Sequence, residues 1–230
     1  MQCAIMQPTY LPWSGYFNLA TQVDFFIILD DVQFNKRSWQ QRNRILQNGK
    51  EIFLSVPVFT KGRSEQLINE VQINNESNWR ESHLKSIQMA YSKSKYKDEL
   101  MPLLEELYSF KTDSLADFNL KFITLIFELL SIKTKVIRSK DIPVCGKKSD
   151  YLLNICNYLE CDEYLSAIGS KSYIEEEEVF KNSSVKVAYQ NYNPAIYEQL
   201  SKEAFISHLS IIDVIFNIGI EQAKRYVYAD

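Results

Sequence analysis

Short apolar runs alternate with a segment of helical periodicity at the start of the chain. Residues 3–6 are apolar and lead into a loop rich in proline and aromatic residues, and residues 18–22 continue at helical spacing. A second apolar run, residues 25–29, ends at Asp30. Strand, helix and strand in this order are typical of a βαβ unit, whose two strands are parallel. The pattern predicts an α/β fold with a Rossmann-like, open and mainly parallel sheet flanked by helices.

The rest of the chain predicts a hairpin, further strands and several helices. The pair Asn48-Gly49 predicts a tight reversal between strands near residues 42–46 and 51–58. Helices around residues 78–131 would form a smaller helical lobe within a single domain of residues 1–230. The predicted strands are 67–73, 134–139, 163–168 and 185–189, and the predicted helices are 78–91, 99–108, 115–131, 151–159 and 205–217, with the acidic residues 175–178 at a helix start.

Composition and charge indicate a globular protein with a small partner. The 230 residues are 46% hydrophobic and 24% charged, which suits one sizeable core. A net charge of −3 does not favour nucleic acid or an anionic membrane. The chain has no run of about 18 apolar residues that could cross a bilayer, and its N-terminus lacks the basic region of a signal peptide. We therefore expect a cytoplasmic protein with no membrane span and no nucleic-acid partner, and the oligomeric state stays open.

The four cysteines change this picture little. They lack the Cys-x-x-Cys spacing of a zinc site and the density of a disulfide scaffold. We predict free thiols and no metal site. The cysteines are Cys3, Cys145, Cys156 and Cys161.

Two polar loops follow the first two predicted strands. They span residues 7–15 and residues 30–44, and the second contains two acids, four bases, five amides and one tryptophan. Because the strands are expected to be parallel, both loops should lie at one edge of the sheet, where open parallel sheets bind ligands. A loop so rich in hydrogen-bond donors suits an anionic ligand.

These loops also carry a resemblance to a known family. The sequence resembles the WbqC-like family, whose members occur in bacterial surface-polysaccharide gene clusters, and the resemblance covers nearly the whole chain. It implies a role in decorating amino sugars of O-antigens, and hence of lipopolysaccharide. The matching residues are Gln7-Pro8-x-Tyr10-x-Pro12-Trp13-x-Gly15-Tyr16-Phe17, Asp24, Asp30, Val32-Gln33-Phe34, Trp39, Arg42-Asn43-Arg44, Val56-Pro57-Val58, Trp79, His83, Tyr91 and the segment 209–213.

The resemblance implies a transferase that forms an amide on the amino group of a nucleotide-linked deoxyamino sugar. Such an enzyme would use an activated acyl or aminoacyl donor, and no further cofactor is expected. The alternative is a non-catalytic nucleotide-sugar-binding or scaffolding protein of the same pathway. The absence of a Cys-His or Ser-His-Asp pattern leaves this alternative open.

Candidate site residues follow from this chemistry. His83 or Asp31 would be the base that deprotonates the sugar ammonium, although His83 lies on an apolar helical stripe that also suits a core residue. Basic side chains would pair with the diphosphate, amides would polarise a carbonyl, and aromatic rings would stack on the base or sugar. The expected substrate-binding residues are Gln7, Tyr10, Trp13, Gly15, Tyr16, Lys36, Trp39, Arg42, Asn43 and Arg44.

A second candidate anion site precedes the predicted helix 151–159. The run Gly146-Lys147-Lys148-Ser149 could hold an anion through backbone N–H groups and ammonium charge. It is not a Walker motif, since the first, spaced glycine is missing. In the simpler interpretation, Ser149 is the N-cap of that helix.

Overall fold

The centre of the fold is a parallel sheet. The computed structural model describes residues 1–201 and 204–229. Five strands pair in parallel in the order β5-β2-β1-β6-β7, and β3 and β4 form an antiparallel hairpin beside the sheet. The strands are β1 (Gln2–Met6), β2 (Phe25–Ile28), β3 (Arg42–Gln47), β4 (Lys50–Ser55), β5 (Lys135–Arg138), β6 (Glu163–Ser166) and β7 (Lys186–Tyr189). The predicted α/β class is confirmed, and the Rossmann-like description stays a prediction.

Helices cover both faces of the sheet. On one face, Ala4 and Phe26 pack with α1, α4 and α7; on the other, Cys3 and Ile27 pack with α5 and α6. Neighbouring residues of a strand point to opposite faces, which explains why both strands are apolar throughout. The helices are α1 (Ser14–Thr21), α2 (Trp79–Ala90), α3 (Lys97–Ser109), α4 (Leu115–Leu129), α5 (Lys148–Tyr158), α6 (Lys171–Glu177) and α7 (Ile211–Val227). The helical sub-lobe expected around residues 78–131 corresponds to α2, α3 and α4, and its separate status stays a prediction.

The strand order reverses beside β1. Strands β2 and β5 lie on one side of β1, and the later strands β6 and β7 lie on its other side. Connections on the two sides of such a point lead to opposite faces of the sheet, which opens a crevice at the carboxyl ends of the strands. The loops after β1, β2 and β6 therefore surround one crevice.

Three element predictions were wrong. Residues 67–73 form a 3-10 turn at Ile68–Glu70 instead of a strand, because Ile68 and Val71 are both buried at the spacing of a helical turn. The acidic residues 175–178 lie at the end of α6 and just beyond it. The last helix begins at Ile211 rather than residue 205, because the Ser210 side chain accepts a hydrogen bond from the Ile212 N–H and caps it there.

Two further observations concern the thiols and the membrane. All four cysteines are free, and Cys3 and Cys156 lie with their sulfur atoms 3.5 Å apart in the core. Among residues 1–201 and 204–229, no helix is long and apolar enough to span a bilayer.

Candidate functional site

A cleft opens at the carboxyl ends of the central strands. Its volume is about 880 Å³, which is the size of a typical small-molecule site. Its walls contain apolar side chains such as Leu29, Leu67 and Leu152. The polar side chains of its lining are Gln7, Asp31, Gln33, Lys147, Lys148, Tyr151, Tyr173 and Glu177.

A smaller chamber of about 340 Å³ adjoins this cleft. It lies over the point where the strand order reverses, and its lining includes Trp39, Gln40 and Ser170. The two chambers share several lining residues, among them Gln7 and Tyr173. A ligand could therefore extend from one chamber into the other past Gln7.

Asp31 has a fixed carboxylate in the larger chamber. One carboxylate oxygen accepts a hydrogen bond from the Ser139 hydroxyl at 2.5 Å, and the other accepts one from the Tyr151 hydroxyl at 2.5 Å. Burial raises the pKa of Tyr151, and Asp31 raises it further, so Tyr151 stays a protonated donor. Two donors from different elements thus orient a partly exposed carboxylate toward the cleft.

The neighbouring acid, Asp30, is placed differently. It is fully buried and accepts hydrogen bonds from the Arg138 guanidinium at 2.6 Å and 2.5 Å. Arg138 also pairs with the partly exposed Asp117 at 2.6 Å. Asp30 therefore joins the ends of β2 and β5 beneath the cleft, whereas Asp31 is available to a ligand.

Buried amides connect the two loops of the rim. The Gln40 side chain donates to the Gln7 side-chain oxygen at 2.8 Å, which leaves the Gln7 N–H donors for a ligand. Asn119 in α4 donates to the carbonyls of Pro8 and Gln40 at 3.0 Å and 2.7 Å. Sequence reasoning missed Gln40 and Asn119; the signal for Asn119 was a lone amide on the apolar face of a predicted helix.

Asn119→Leu is expected to lower the free energy of unfolding by about 2 kcal/mol, because it leaves two buried carbonyls without their donor. Urea denaturation followed by circular dichroism measures this change. Asn157→Leu on the exposed side of α5 is the matched control and should change stability little. Equal effects of the two variants would show that Asn119 does not join the loops.

His83 and Tyr10 lie in the core rather than in the lining of the cleft. The Tyr10 hydroxyl hydrogen-bonds His83 Nδ1 at 2.7 Å and also bonds the Tyr108 hydroxyl. Trp79 and Tyr108 pack their rings against the imidazole. Burial lowers the pKa of His83 to about 4, so the ring is neutral near pH 7. The apolar helical stripe, which also suited a core residue, is here a packing stripe, and the catalytic role of His83 stays a prediction that this placement does not support.

The buried His83 predicts acid sensitivity. Below pH 6.5 the unfolded chain binds a proton at this position, whereas the folded chain does so only near its pKa of about 4. As the pH is lowered from about 6.5 to about 4, the free energy of unfolding should therefore decrease, by up to about 3 kcal/mol from this group. Urea denaturation at several pH values should show a shallower fall for His83→Gln. The same substitution at the exposed His208 should leave the wild-type slope, and an identical slope in both variants would contradict the prediction.

The hairpin presents basic and aromatic side chains beside the smaller chamber. Arg42 lies over the Phe53 ring at 4.8 Å, and Arg44 lies over the Trp39 ring at 5.4 Å and pairs with Glu51 at 2.6 Å. Trp39 is half exposed and lines the chamber. Trp39 is thus brought to the smaller chamber, whereas neither Arg42 nor Arg44 lines either chamber, and Lys36 is exposed on the connecting loop.

Other predicted residues shape the loop after β1. The Trp13 ring lies against the Gly15 Cα, where a Cβ would come within 2.1 Å of it, so this contact requires glycine. Trp13 itself contacts the rings of Tyr192 and His208. These contacts stabilise the loop, and a direct role of Trp13 or Gly15 in substrate binding stays a prediction.

Tyr16 and Asn43 also hold this loop from within the core. The Tyr16 hydroxyl donates to the Gln7 carbonyl at 3.2 Å. Asn43 is buried and donates to the carbonyls of Tyr10 and Leu11 at 3.0 Å and 2.8 Å. Both residues therefore position Gln7 and its neighbours, and their predicted contacts with substrate stay predictions.

The interpretation of Ser149 as a helix N-cap was wrong. Helix α5 begins at Lys148, and Lys147 at the N-cap position makes no side-chain capping bond. The carboxylate of Glu177 in α6 takes this place, since it accepts the Ser149 N–H at 3.0 Å and pairs with the Lys148 ammonium at 3.1 Å. The local sequence could not predict a cap that comes from another helix.

Comparison with known proteins gives two similarities. The model of the "WbqC-like protein family" matches residues 7–225. "Uncharacterized protein Rv1507c" of Mycobacterium tuberculosis is 34% identical over 220 residues, which cover 95% of this chain and 94% of that protein. No solved structure matches significantly.

Proposed function

The chain belongs to the WbqC-like protein family, and we propose that it is a transferase of surface-polysaccharide biosynthesis. It forms an amide on the amino group of a nucleotide-linked deoxyamino sugar, with an activated acyl or aminoacyl donor. The observation that carries this proposal is a fixed carboxylate, Asp31, in the larger of two chambers that meet at Gln7. A nucleotide-linked substrate implies action in the cytoplasm.

The two chambers suit two substrates. The larger one has the volume for a nucleotide-linked sugar, and Tyr173 in its wall offers a ring for stacking. The smaller one, bordered by Trp39, takes the reactive end of the donor. Gln7 borders both chambers and lies where amine and donor carbonyl would meet. Holding both reactants in one geometry supplies much of the rate enhancement in such transfers.

The reaction is an acyl transfer to nitrogen. The sugar amine attacks the carbonyl carbon of the donor, and the nitrogen becomes strongly acidic as the C–N bond forms. Asp31 accepts its proton, and the Gln7 N–H donors bind the oxygen of the tetrahedral intermediate. The bond between the carbonyl carbon and the leaving group then breaks, and the leaving group takes up the proton.

Asp31 is the base in this proposal, and His83 is not. Asp31 lines the cleft, whereas His83 is 7% exposed and hydrogen-bonded to Tyr10 in the core. A general base must come within hydrogen-bond reach of the proton that it removes.

One observation favours the alternative of a nucleotide-sugar-binding or scaffolding protein. Both carboxylate oxygens of Asp31 already accept hydrogen bonds, from Ser139 and Tyr151. Each oxygen therefore already has a fixed donor, which leaves fewer lone pairs free for a substrate proton. A cleft of this kind would also serve recognition without reaction.

A direct assay separates the two functions. The protein is incubated with nucleotide-linked amino sugars and with thioester or aminoacyl donors, and mass spectrometry follows the mass of the sugar. We expect acylated sugar in the presence of both substrates. Thermal shift is measured in parallel, because a ligand that binds only the native state raises its stability. Stabilisation by the nucleotide sugar without acylation by any donor would support the binding protein instead.

A further inference from the structure

The start of α5 carries an internal anion at the mouth of the cleft. The Glu177 carboxylate accepts the Ser149 N–H at 3.0 Å and lies 3.1 Å from the Lys148 ammonium. Free N–H groups and the helix dipole favour negative charge at this position, which is where proteins bind phosphate groups. Glu177 reaches it from the last turn of α6, a helix of only 7 residues.

A buried hydroxyl points to the same position. Ser149 is fully buried, and its hydroxyl has no hydrogen-bond partner of normal geometry. The hydroxyl nevertheless lies close enough to the carboxylate of Glu177 to lower its pKa, as do the Ser149 N–H and the Lys148 ammonium. A buried hydroxyl without a good partner costs free energy, so a ligand oxygen that accepted its hydrogen bond would be favoured.

The loop before α5 packs tightly on the first turn of that helix and borders the cleft. Gly146 packs against the backbone of Tyr151, and a Cβ at Gly146 would lie 2.8 Å from the Tyr151 Cα. Lys147 and Lys148 are exposed and line the same cleft as Tyr151 and Asp31. A ligand that touched Asp31 could therefore also reach the start of α5.

We propose that the start of α5 is a phosphate-binding subsite of the cleft, occupied by Glu177 until a phosphorylated ligand displaces it. A phosphate group brings more negative charge and more acceptor oxygens than a carboxylate, so it can bond the Ser149 N–H, the Ser149 hydroxyl and Lys148 together. The ion pair to be replaced is weak, since the Lys148 side chain is 78% exposed. In this respect the inference rests on the proposed function: the ligand would be the diphosphate of the nucleotide-linked sugar.

The probe for this subsite is inorganic pyrophosphate, titrated calorimetrically into the full chain. Glu177→Gln should bind pyrophosphate about fivefold more tightly than the wild type, because the competing carboxylate is gone. Lys148→Gln should bind it about fivefold more weakly. The matched control for charge is Glu176→Gln, which changes the net charge equally on the exposed side of α6 and should bind like the wild type. The Ser149 amide signal in a nitrogen-15 correlation spectrum should shift during the titration.

Specific outcomes would overturn the subsite. Equal affinities of Glu177→Gln and Glu176→Gln would reduce the effect to net charge, and a silent Ser149 amide would place the anion elsewhere. Absence of binding in both the wild type and Glu177→Gln would likewise contradict it. None of these measurements needs turnover, so tighter pyrophosphate binding by Glu177→Gln would support the subsite even if no donor ever acylated a sugar.

Discussion

Replacing Asp31 by asparagine is expected to lower the rate of amide formation by about 10²–10⁴-fold, the usual contribution of a general base. The amide has nearly the same size and still accepts a hydrogen bond from Tyr151 or Ser139, but it cannot take the proton of the attacking amine. Affinity for the nucleotide sugar should change far less than turnover, because the substitution removes a proton acceptor and leaves the walls of the cleft unchanged. Single-turnover acylation followed by mass spectrometry, with affinity from calorimetry, separates the two quantities.

Asp141→Asn is the control for this prediction. Asp141 is an exposed acid near the end of β5 that makes none of the contacts of the cleft, so its variant should keep wild-type turnover. Tyr151→Phe removes one donor to Asp31 and should lower turnover less than Asp31→Asn, because Asp31 is still present as the proton acceptor. Full turnover in Asp31→Asn would refute the base assignment and return the question to His83.

The hydrophobic pattern predicted the part of the fold that depends on local sequence. Two apolar runs joined by a short helix predicted parallel strands, and β1 and β2 pair in parallel with Met6 opposite Ile28. Because these strand ends are aligned, Gln7 and Asp31 follow at the same edge of the sheet. The prediction succeeded here because a short βαβ connection allows very few arrangements.

The remaining features of the site depend on partners far apart in the chain. Asp31 was a predicted base, but the local sequence gives no physical reason to prefer it to Asp30, since the roles of the two acids depend on Arg138 and Ser139, which β5 brings beside β2. Similarly, an apolar helical stripe with one histidine fits a core residue as well as a base. The hydrogen bond that identifies His83 as a core residue comes from Tyr10, which lies 73 positions away in the sequence. Only tertiary packing decides such cases.

The second large effect is expected from Arg138→Met, which should lower the free energy of unfolding by about 3–5 kcal/mol. Asp30 has no exposed surface, and the Arg138 guanidinium bonds its carboxylate at 2.6 Å and 2.5 Å. Methionine fills similar volume but leaves this buried charge without its counter-ion, and a lone charge in the core is far costlier than a lost surface pair. Denaturant unfolding at neutral pH measures the difference.

Two further variants show whether the buried pair is the cause. Asp117→Asn removes the other acidic partner of Arg138. The Asp117 side chain is 45% exposed, so this substitution should lower the free energy of unfolding by less than about 1 kcal/mol. The double variant Asp30→Leu with Arg138→Met removes both charges and should recover most of the lost stability, because neither is then left unpaired. If Arg138→Met costs no more than Asp117→Asn, the pair does not anchor β2 to β5. Since Asp31 directly follows Asp30, a confirmed anchor would also explain why the proposed base has a fixed position above the sheet.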